Sequence, residues 1–347
     1  MIRTVETKVR VLRNGAQYSE LQYAPSGAPT IRCSDSAEIK MSMTGEFKPN
    51  PAVNWLSDEL QAVLIVDGVE HPIGVFLPAS VEETESEGLT TLRVEAYDRC
   101  WRVQTENMGT KYEATSGAAY IDALKSLLAS CSIANVLARP NSAALAVGRA
   151  WLPQDTNMLK IANELLTEIN YKPLWFNEDG VAILEPYAEP TVENIQHTLI
   201  GDDVKSLLLP KISRKTDVYS APNVFTVVCA TPDKSSIMTA TSINNSPASP
   251  YSVIQRGRQI TKIVKVNNIA SQSALEAYAD RLRNESMMRG ETIQIETALL
   301  PGYGVADVVA LHYNDLTALC LDHAWSMSFR PGGTMTHTLE RVVANVG

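Results

Sequence analysis

Tyr251-Ser-Val-Ile-Gln-Arg-Gly-Arg-Gln-Ile-Thr261 opens the last hundred residues of the chain, and Trp325-Ser-Met-Ser-Phe-Arg-Pro-Gly-Gly-Thr-Met-Thr-His-Thr-Leu-Glu-Arg-Val342 nearly closes them. Between these stretches the order is strand, helix, then several strands. Ile260 to Val266 reads as a strand. Ser273 with Glu276 has the spacing of a capping box, and Leu275, Tyr278, Ala279 and Leu282 form one helical stripe over residues 273–289. Gly290 stands where a helix of that length ends. Residues 293–299, 305–312, 318–329 and 334–343 read as strands, with Asn314-Asp315 marking a hairpin. No catalytic motif interrupts this order.

Working back, residues 231–250 are rich in Ser, Thr, Asn and Pro and read as an exposed loop excursion, after a buried-strand candidate at Asn223 to Cys229. Residues 113–190 change period. Tyr120, Leu124, Leu127, Leu128 and Cys131 share one helix face, with Ser116 as the expected cap. Met158, Ala162, Leu165, Leu166 and Ile169 repeat the spacing, with Asp155 or Thr156 as cap and Asn170 at the end. Residues 173–176 and 181–184 then flank Asn177-Glu-Asp-Gly180 as a hairpin.

The first 112 residues are β throughout. Val5, Val9 and Val11 alternate with Lys8 and Arg10, and Asn14-Gly15 follows as a tight turn. Glu38 to Gly45 alternates again until Pro49-Asn-Pro51 breaks it. Asp67-Gly68 joins two further strands, and Leu89 to Tyr97 is the last. Gly88-Leu-Thr-Thr-Leu-Arg-Val94 and Gly333-Thr-Met-Thr-His-Thr-Leu339 are loosely alike, a hint of two similar β regions around a different middle. The expected class is therefore α+β and β-rich: a β domain over 1–112, an α+β domain over 113–190, and a second β domain over 191–347.

The 347 residues are 45% hydrophobic and 20% charged, a globular balance with room for several cores. A net charge of -9 argues against a protein that holds nucleic acid by neutralising phosphates. Cys33, Cys100, Cys131, Cys229 and Cys320 are scattered and odd in number, as expected of thiols in a reducing compartment. The start of the sequence lacks the apolar stretch of a signal peptide, and no apolar run is long enough to span a bilayer.

Candidate chemistry is sparse. His312 and His323 could face each other across the Asn314-Asp315 hairpin, while His71, His197 and His337 stand apart. Asp202-Asp203 are adjacent, so in a strand they point to opposite faces; alternatively Gly201-Asp-Asp is a turn. Glu82, Glu83, Glu85 and Glu87 form an acidic run around an expected loop, either solvated or a docking surface. Basic residues gather at Lys211 to Lys215 and Arg256 to Lys265, and Arg281, Arg283 and Arg289 lie on the third helix. The five tryptophans, Trp55, Trp101, Trp151, Trp175 and Trp325, read as core anchors, with an interface hot spot the alternative for one or two of them. We expect no catalytic, cofactor-binding or metal site.

Three stretches carry a resemblance: Val94-Glu-Ala-Tyr-Asp-Arg99, the hairpin region Tyr171 to Tyr187, and Tyr251 to Arg341. Through them the chain resembles the central hub proteins of phage and prophage tail baseplates, of the XkdQ-like, T4-type hub and late control protein D kinds. The resemblance implies two tail-tube-like β-barrel or sandwich domains per chain, and a homotrimer forming a pseudo-sixfold ring. It also implies a non-enzymatic role in the virion tail, with assembly in the bacterial host cytoplasm. Tail tube, spike or tip, baseplate wedge and tape measure proteins would be its partners, and DNA could pass through the lumen without sequence-specific contact. The rival readings are another tail component, such as a distal tail or tube initiator protein, and a hydrolase built on His312 or His323.

Overall fold

In the computed structural model the described residues are all except 1–2, 26, 107–108, 110, 202–205, 217–218, 220, 230–236, 267, 289–290 and 343–347. The first part of the chain runs β1 (Val5–Arg13), β2 (Ala16–Leu21), β3 (Thr30–Ser34), β4 (Met41–Phe47), β5 (Glu59–Val66), β6 (Val69–Ser86) and β7 (Leu89–Tyr97). Then follow α1 (Arg99–Thr105), β8 (Tyr112–Ala114), α2 (Tyr120–Ser130), β9 (Val136–Ala138), β10 (Arg149–Trp151), α3 (Met158–Glu168), β11 (Trp175–Phe176) and β12 (Ala182–Leu184). The last part runs β13 (His197–Ile200), β14 (Leu208–Thr216), β15 (Val224–Cys229), β16 (Met238–Ile243), α4 (Val253–Arg256), β17 (Thr261–Val266) and α5 (Gln272–Met288). It ends in β18 (Glu291–Ala298), β19 (Val308–Tyr313), β20 (Leu316–Ser328) and β21 (Thr334–Arg341). The chain is β-rich α+β.

Tight turns set the local pairings. Asn14-Gly15 and Asp67-Gly68 take positive φ at both residues, the mirror-image turn whose twist suits an antiparallel ribbon. Glu87-Gly88 does the same between β6 and β7, and Asn314 has φ 48° between β19 and β20. The alternation within each strand then selects a face: in β4 the pattern is strictly buried, half-buried, buried from Met41 to Phe47.

Thirteen strands from both ends of the chain join one sheet system, in the order β14-β18-β21-β20-β3-β4-β7-β6-β5-β1-β2. β13 and β19 complete it, pairing in parallel, with β19 also paired to β20. The order contains a duplication. β3-β4-β7-β6-β5 and β14-β18-β21-β20-β19 are the same five-strand run, with the last strand of each run between its second and fourth in chain order. The long strand of each run carries a bulge at the same place, after Pro78 in β6 and after Asp322 in β20. The two Gly-Leu-Thr and Gly-Thr-Met stretches introduce β7 and β21, which hold equivalent positions. The runs are fused where β20 pairs with β3, from Ala324 opposite Ser34 to Ser328 opposite Thr30. One apolar core crosses the fusion, from Val9, Phe47 and Phe76 to Trp325, Phe329 and Leu339.

Two smaller cores are separate. α2 and α3 pack Leu124, Leu127, Leu128, Ile161, Leu165 and Leu166 with Cys100 and Val103 of α1. α5 lays Leu275 and Ala279 on the sheet β16-β15-β17, around Val227 and Ala240. This second element set is inserted between β14 and β18.

Several local expectations are corrected. α1 is short and was not anticipated. The cap of α2 is Ala119 with no side-chain bond, because Ser116 donates to the Ala146 carbonyl instead. Asn157, not Asp155 or Thr156, caps α3, accepting from the Lys160 amide. Ser271, not Ser273, meets the first turn of α5, accepting from the Ala274 amide at 3.1 Å. Asn170 does follow α3 with φ 54°, the left-handed stop. The acidic run is not a loop, since Glu82, Glu83 and Glu85 lie in β6. The 231–250 segment is not all excursion either, since β16 lies within it and pairs with β15 along six residues. Asp202, Asp203, Arg289 and Gly290 lie outside the described residues.

Candidate assembly surfaces

Two sheet edges are exposed. β6 is eighteen residues long. Its first half pairs with β5 and its second half, Leu77 to Ser86, with β7. Beyond the bulge, among the described residues, that second half pairs with no strand on its other side. β14 pairs only with β18 among the described residues. An unpaired edge presents a row of N–H and C=O groups to any strand that can reach it. The two edges carry opposite charge. Glu82, Glu83, Glu85 and Glu87 are all exposed on or beside β6. Lys211, Arg214 and Lys215 are exposed on β14, where Arg214 also pairs with Glu291 of β18.

Three titratable groups of the second run, His337, Asp322 and Asp307, are buried. His337 is fully buried on β21; its Nδ1 lies 2.6 Å from Asp322 and its Nε2 3.0 Å from the Thr297 hydroxyl. Thr, His and Asp in that order are the components of a nucleophilic triad. Here all three are sealed: Thr297 and His337 have no exposed surface and Asp322 almost none. No substrate atom reaches them, and burial pushes the Asp322 carboxyl up. His197 stacks on Tyr303 at 3.7 Å and meets Asp307 at 3.0 Å, while Asp307 also accepts from Gln196 and the Gly304 amide. These bonds tie β13 and the turn before β19 to the end of the sheet.

The proposed His312–His323 pair is not formed. His312 lies opposite Thr317 in the β19–β20 hairpin, whereas His323 sits at the bulge of β20 and pairs with Asp35. Six residues of extended strand separate Thr317 from His323, about 20 Å. Of the tryptophans, Trp325 is fully in the core, its indole N–H donating to the Gly304 carbonyl at 2.9 Å. Trp55, Trp101, Trp151 and Trp175 are half-buried. The five cysteines are all buried, and burial raises the thiols of Cys33, Cys100, Cys131 and Cys320. A cleft of about 990 Å³ runs between the sheet and the helical middle. Its charges answer one another: Lys172 meets Glu185 at 2.9 Å and Arg281 meets Glu285 at 2.7 Å.

The fold of the whole chain has counterparts among solved structures. The tail protein from Neisseria meningitidis MC58 matches with a TM-score of 0.67 at 13% identity, over 97% of this chain and 96% of that one. The 43 kDa tail protein of prophage MuSo2 from Shewanella oneidensis matches with a TM-score of 0.65 at 10% identity, over 97% and 98%. The chain has the fold of phage tail proteins. The c3393 protein of E. coli, described as a component of the type VI secretion system with structural similarity to T4 tail proteins gp27 and gp5, matches with a TM-score of 0.54 at 10% identity. That match covers 97% of this chain and 78% of that one. No protein-family model and no curated protein matches the sequence.

In this tail-protein fold the passage from sheet to helices is governed by Asp98. Its buried carboxylate caps α1 through the Cys100 amide at 2.8 Å and accepts the Met41 amide of β4 at 2.7 Å. Burial nevertheless raises its pKa to about 6. A carboxyl whose folded pKa lies above its unfolded value binds its proton more tightly when folded. Its contribution is therefore complete below pH 4 and lost as pH rises through about 6. Asp98→Asn removes that dependence and places an amide NH2 against one of the two N–H donors. We expect the stability gap between wild type and Asp98→Asn to widen by about 2 kcal/mol as pH falls from 7 to 4. Urea denaturation across that range measures it, and a constant gap would contradict the account.

Proposed function

We propose that the chain is the hub of a tail baseplate, a structural protein and not an enzyme. Three copies form a ring in which each copy supplies two equivalent β units, so that six units face the hexameric tail tube. The observation that carries this reading is the duplication β3-β4-β7-β6-β5 and β14-β18-β21-β20-β19 within one chain of tail-protein fold. A single β unit per chain would serve a sixfold tube directly. Two per chain serve it as a trimer, which also matches a trimeric spike or tip protein on the other side. On this reading the units are tail-tube-like domains, approximately residues 1–112 and 191–347, and residues 113–190 form the α+β domain between them. Tail tube, spike or tip, wedge and tape measure proteins are its partners, and the virion tail is its place. The sealed state of Thr297, His337 and Asp322 favours this over a hydrolase.

Light scattering on a sizing column tests the proposal. A mass of three chains is the expected result. Six chains would favour a tube-like or distal tail component instead, and a monomer at every concentration would overturn the ring.

A further inference from the structure

The internal fusion of the two five-strand runs specifies how one copy meets the next. Inside the chain, β20 of the second run pairs beyond its bulge with β3 of the first. By the duplication, β20 corresponds to β6 and β3 corresponds to β14. The equivalent of the fusion would therefore be β6 beside β14. Within one chain this pair cannot form, because six strands lie between them in the sheet order. Both edges are left unpaired among the described residues.

The register can be carried over residue by residue. Asp322 and Pro78 precede the two bulges, and opposite them stand Leu339 and Ala96. Opposite Leu339 and Ala96 on the next strands stand Ile293 and Met43, and opposite those stand Arg214 and Ile31. Hence Ile31 corresponds to Arg214 and Arg32 to Lys215. Counting past the bulges, Ser326 corresponds to Glu82 and Met327 to Glu83. In the fused pair Ser326 faces Arg32 and Met327 faces Ile31. Transferred to the free edges, Glu82 falls opposite Lys215 and Glu83 opposite Arg214. Nothing in the transfer used charge, yet both positions bring a carboxylate to a cation. Directly opposed side chains on neighbouring strands approach to about 5 Å, close enough for such pairs to select a register.

We propose that β6 of one copy and β14 of another join antiparallel, with Glu82 opposite Lys215 and Glu83 opposite Arg214. The contact is head-to-tail: each copy offers an acidic edge on one side and a basic edge on the other. Repetition then continues the sheet from chain to chain until a ring closes. The occupant of each edge is a second copy of this chain, chosen by backbone pairing and by charge. The inference rests on the ring proposed above and names the surface that closes it.

A double variant, Val81→Cys with Thr216→Cys, tests the register, since these residues also fall opposite each other and the native cysteines are buried. Under mild oxidation we expect covalent multimers on a non-reducing gel, reversed by reductant and at least about tenfold more abundant than in either single variant, because opposed strand positions satisfy disulfide distances. No multimer in the double variant would overturn the pairing. A three-chain mass by light scattering without the cross-link would leave the trimer standing and the strand pairing refuted. A cross-link in a particle of two or six chains would leave the pairing standing and refute the trimer. A charge exchange adds a second reading. Glu82→Lys and Lys215→Glu should each weaken assembly about tenfold, which is about 1.4 kcal/mol, and the two together in one chain should restore it. Equal assembly by all three would also overturn the pairing.

Discussion

Replacing Arg149 with alanine is expected to destabilise the protein by about 3–5 kcal/mol. Arg149 stands on β10 and reaches Glu168, the last residue of α3, with two bonds of 2.6 and 2.7 Å. Glu168 is about 1% exposed and also accepts the Tyr120 hydroxyl at 2.7 Å. Burial pushes its carboxyl up, and the guanidinium opposes that rise. Without the arginine a carboxylate remains in the core of the helical middle with one neutral donor. The variant should therefore recover part of its loss as pH falls, since a protonated Glu168 needs no counter-charge. Removing all three partners together, Arg149→Met with Glu168→Leu and Tyr120→Phe, should restore most of the stability. Denaturant midpoints at pH 7 and pH 5 give both effects. A loss below about 1 kcal/mol, or one insensitive to pH, would contradict the assignment of a buried pair.

Trp325→Ala is the second large effect, about 3–5 kcal/mol. Trp325 is 2% exposed and lies opposite Cys33 where β20 meets β3. Its truncation leaves a cavity where, among the described residues, the two sheet runs meet as neighbouring strands. It also deprives the Gly304 carbonyl of its indole donor. Trp325→Phe fills most of the volume and loses only the hydrogen bond, so its cost should be nearer 1–2 kcal/mol. Because the fusion is one continuous core, unfolding should stay cooperative across both runs in wild type. Circular dichroism and tryptophan fluorescence should therefore give one coincident midpoint in wild type and an earlier one in Trp325→Ala.

Local geometry was legible in the sequence and long-range pairing was not. Asn14-Gly15, Asp67-Gly68 and Asn314-Asp315 announce hairpins because they admit the positive φ that such turns require. The stripes from Tyr120 to Cys131 and from Met158 to Ile169 identify α2 and α3 because 3.6-residue spacing is a property of the helix alone. Caps were harder. Ser116, Thr156 and Ser273 are as competent as the residues chosen, and the choice depends on where the incoming chain lies. The acidic run reads as loop because four glutamates favour solvent. In the fold, β7 recruits Glu82 to Glu85 as strand, and their exposure is kept because the other edge is open. The β3–β20 junction joins residues some 300 positions apart and leaves no local mark. The hint of duplication was present in Gly88-Leu-Thr and Gly333-Thr-Met, but only the strand order gives it weight. His337 was a scattered histidine in sequence; alternation in Thr336-His-Thr338 places it inward, and Asp322 on the neighbouring strand explains why it is tolerated there.

Electron microscopy of the purified assembly is the most direct measurement of the central claim, that two equivalent β units in each of three chains build a sixfold-like ring. Class averages should show threefold symmetry with six similar lobes around one channel, alternating between the two units of each chain. Isolated two-lobed particles, or a ring of twelve lobes from six chains, would contradict it.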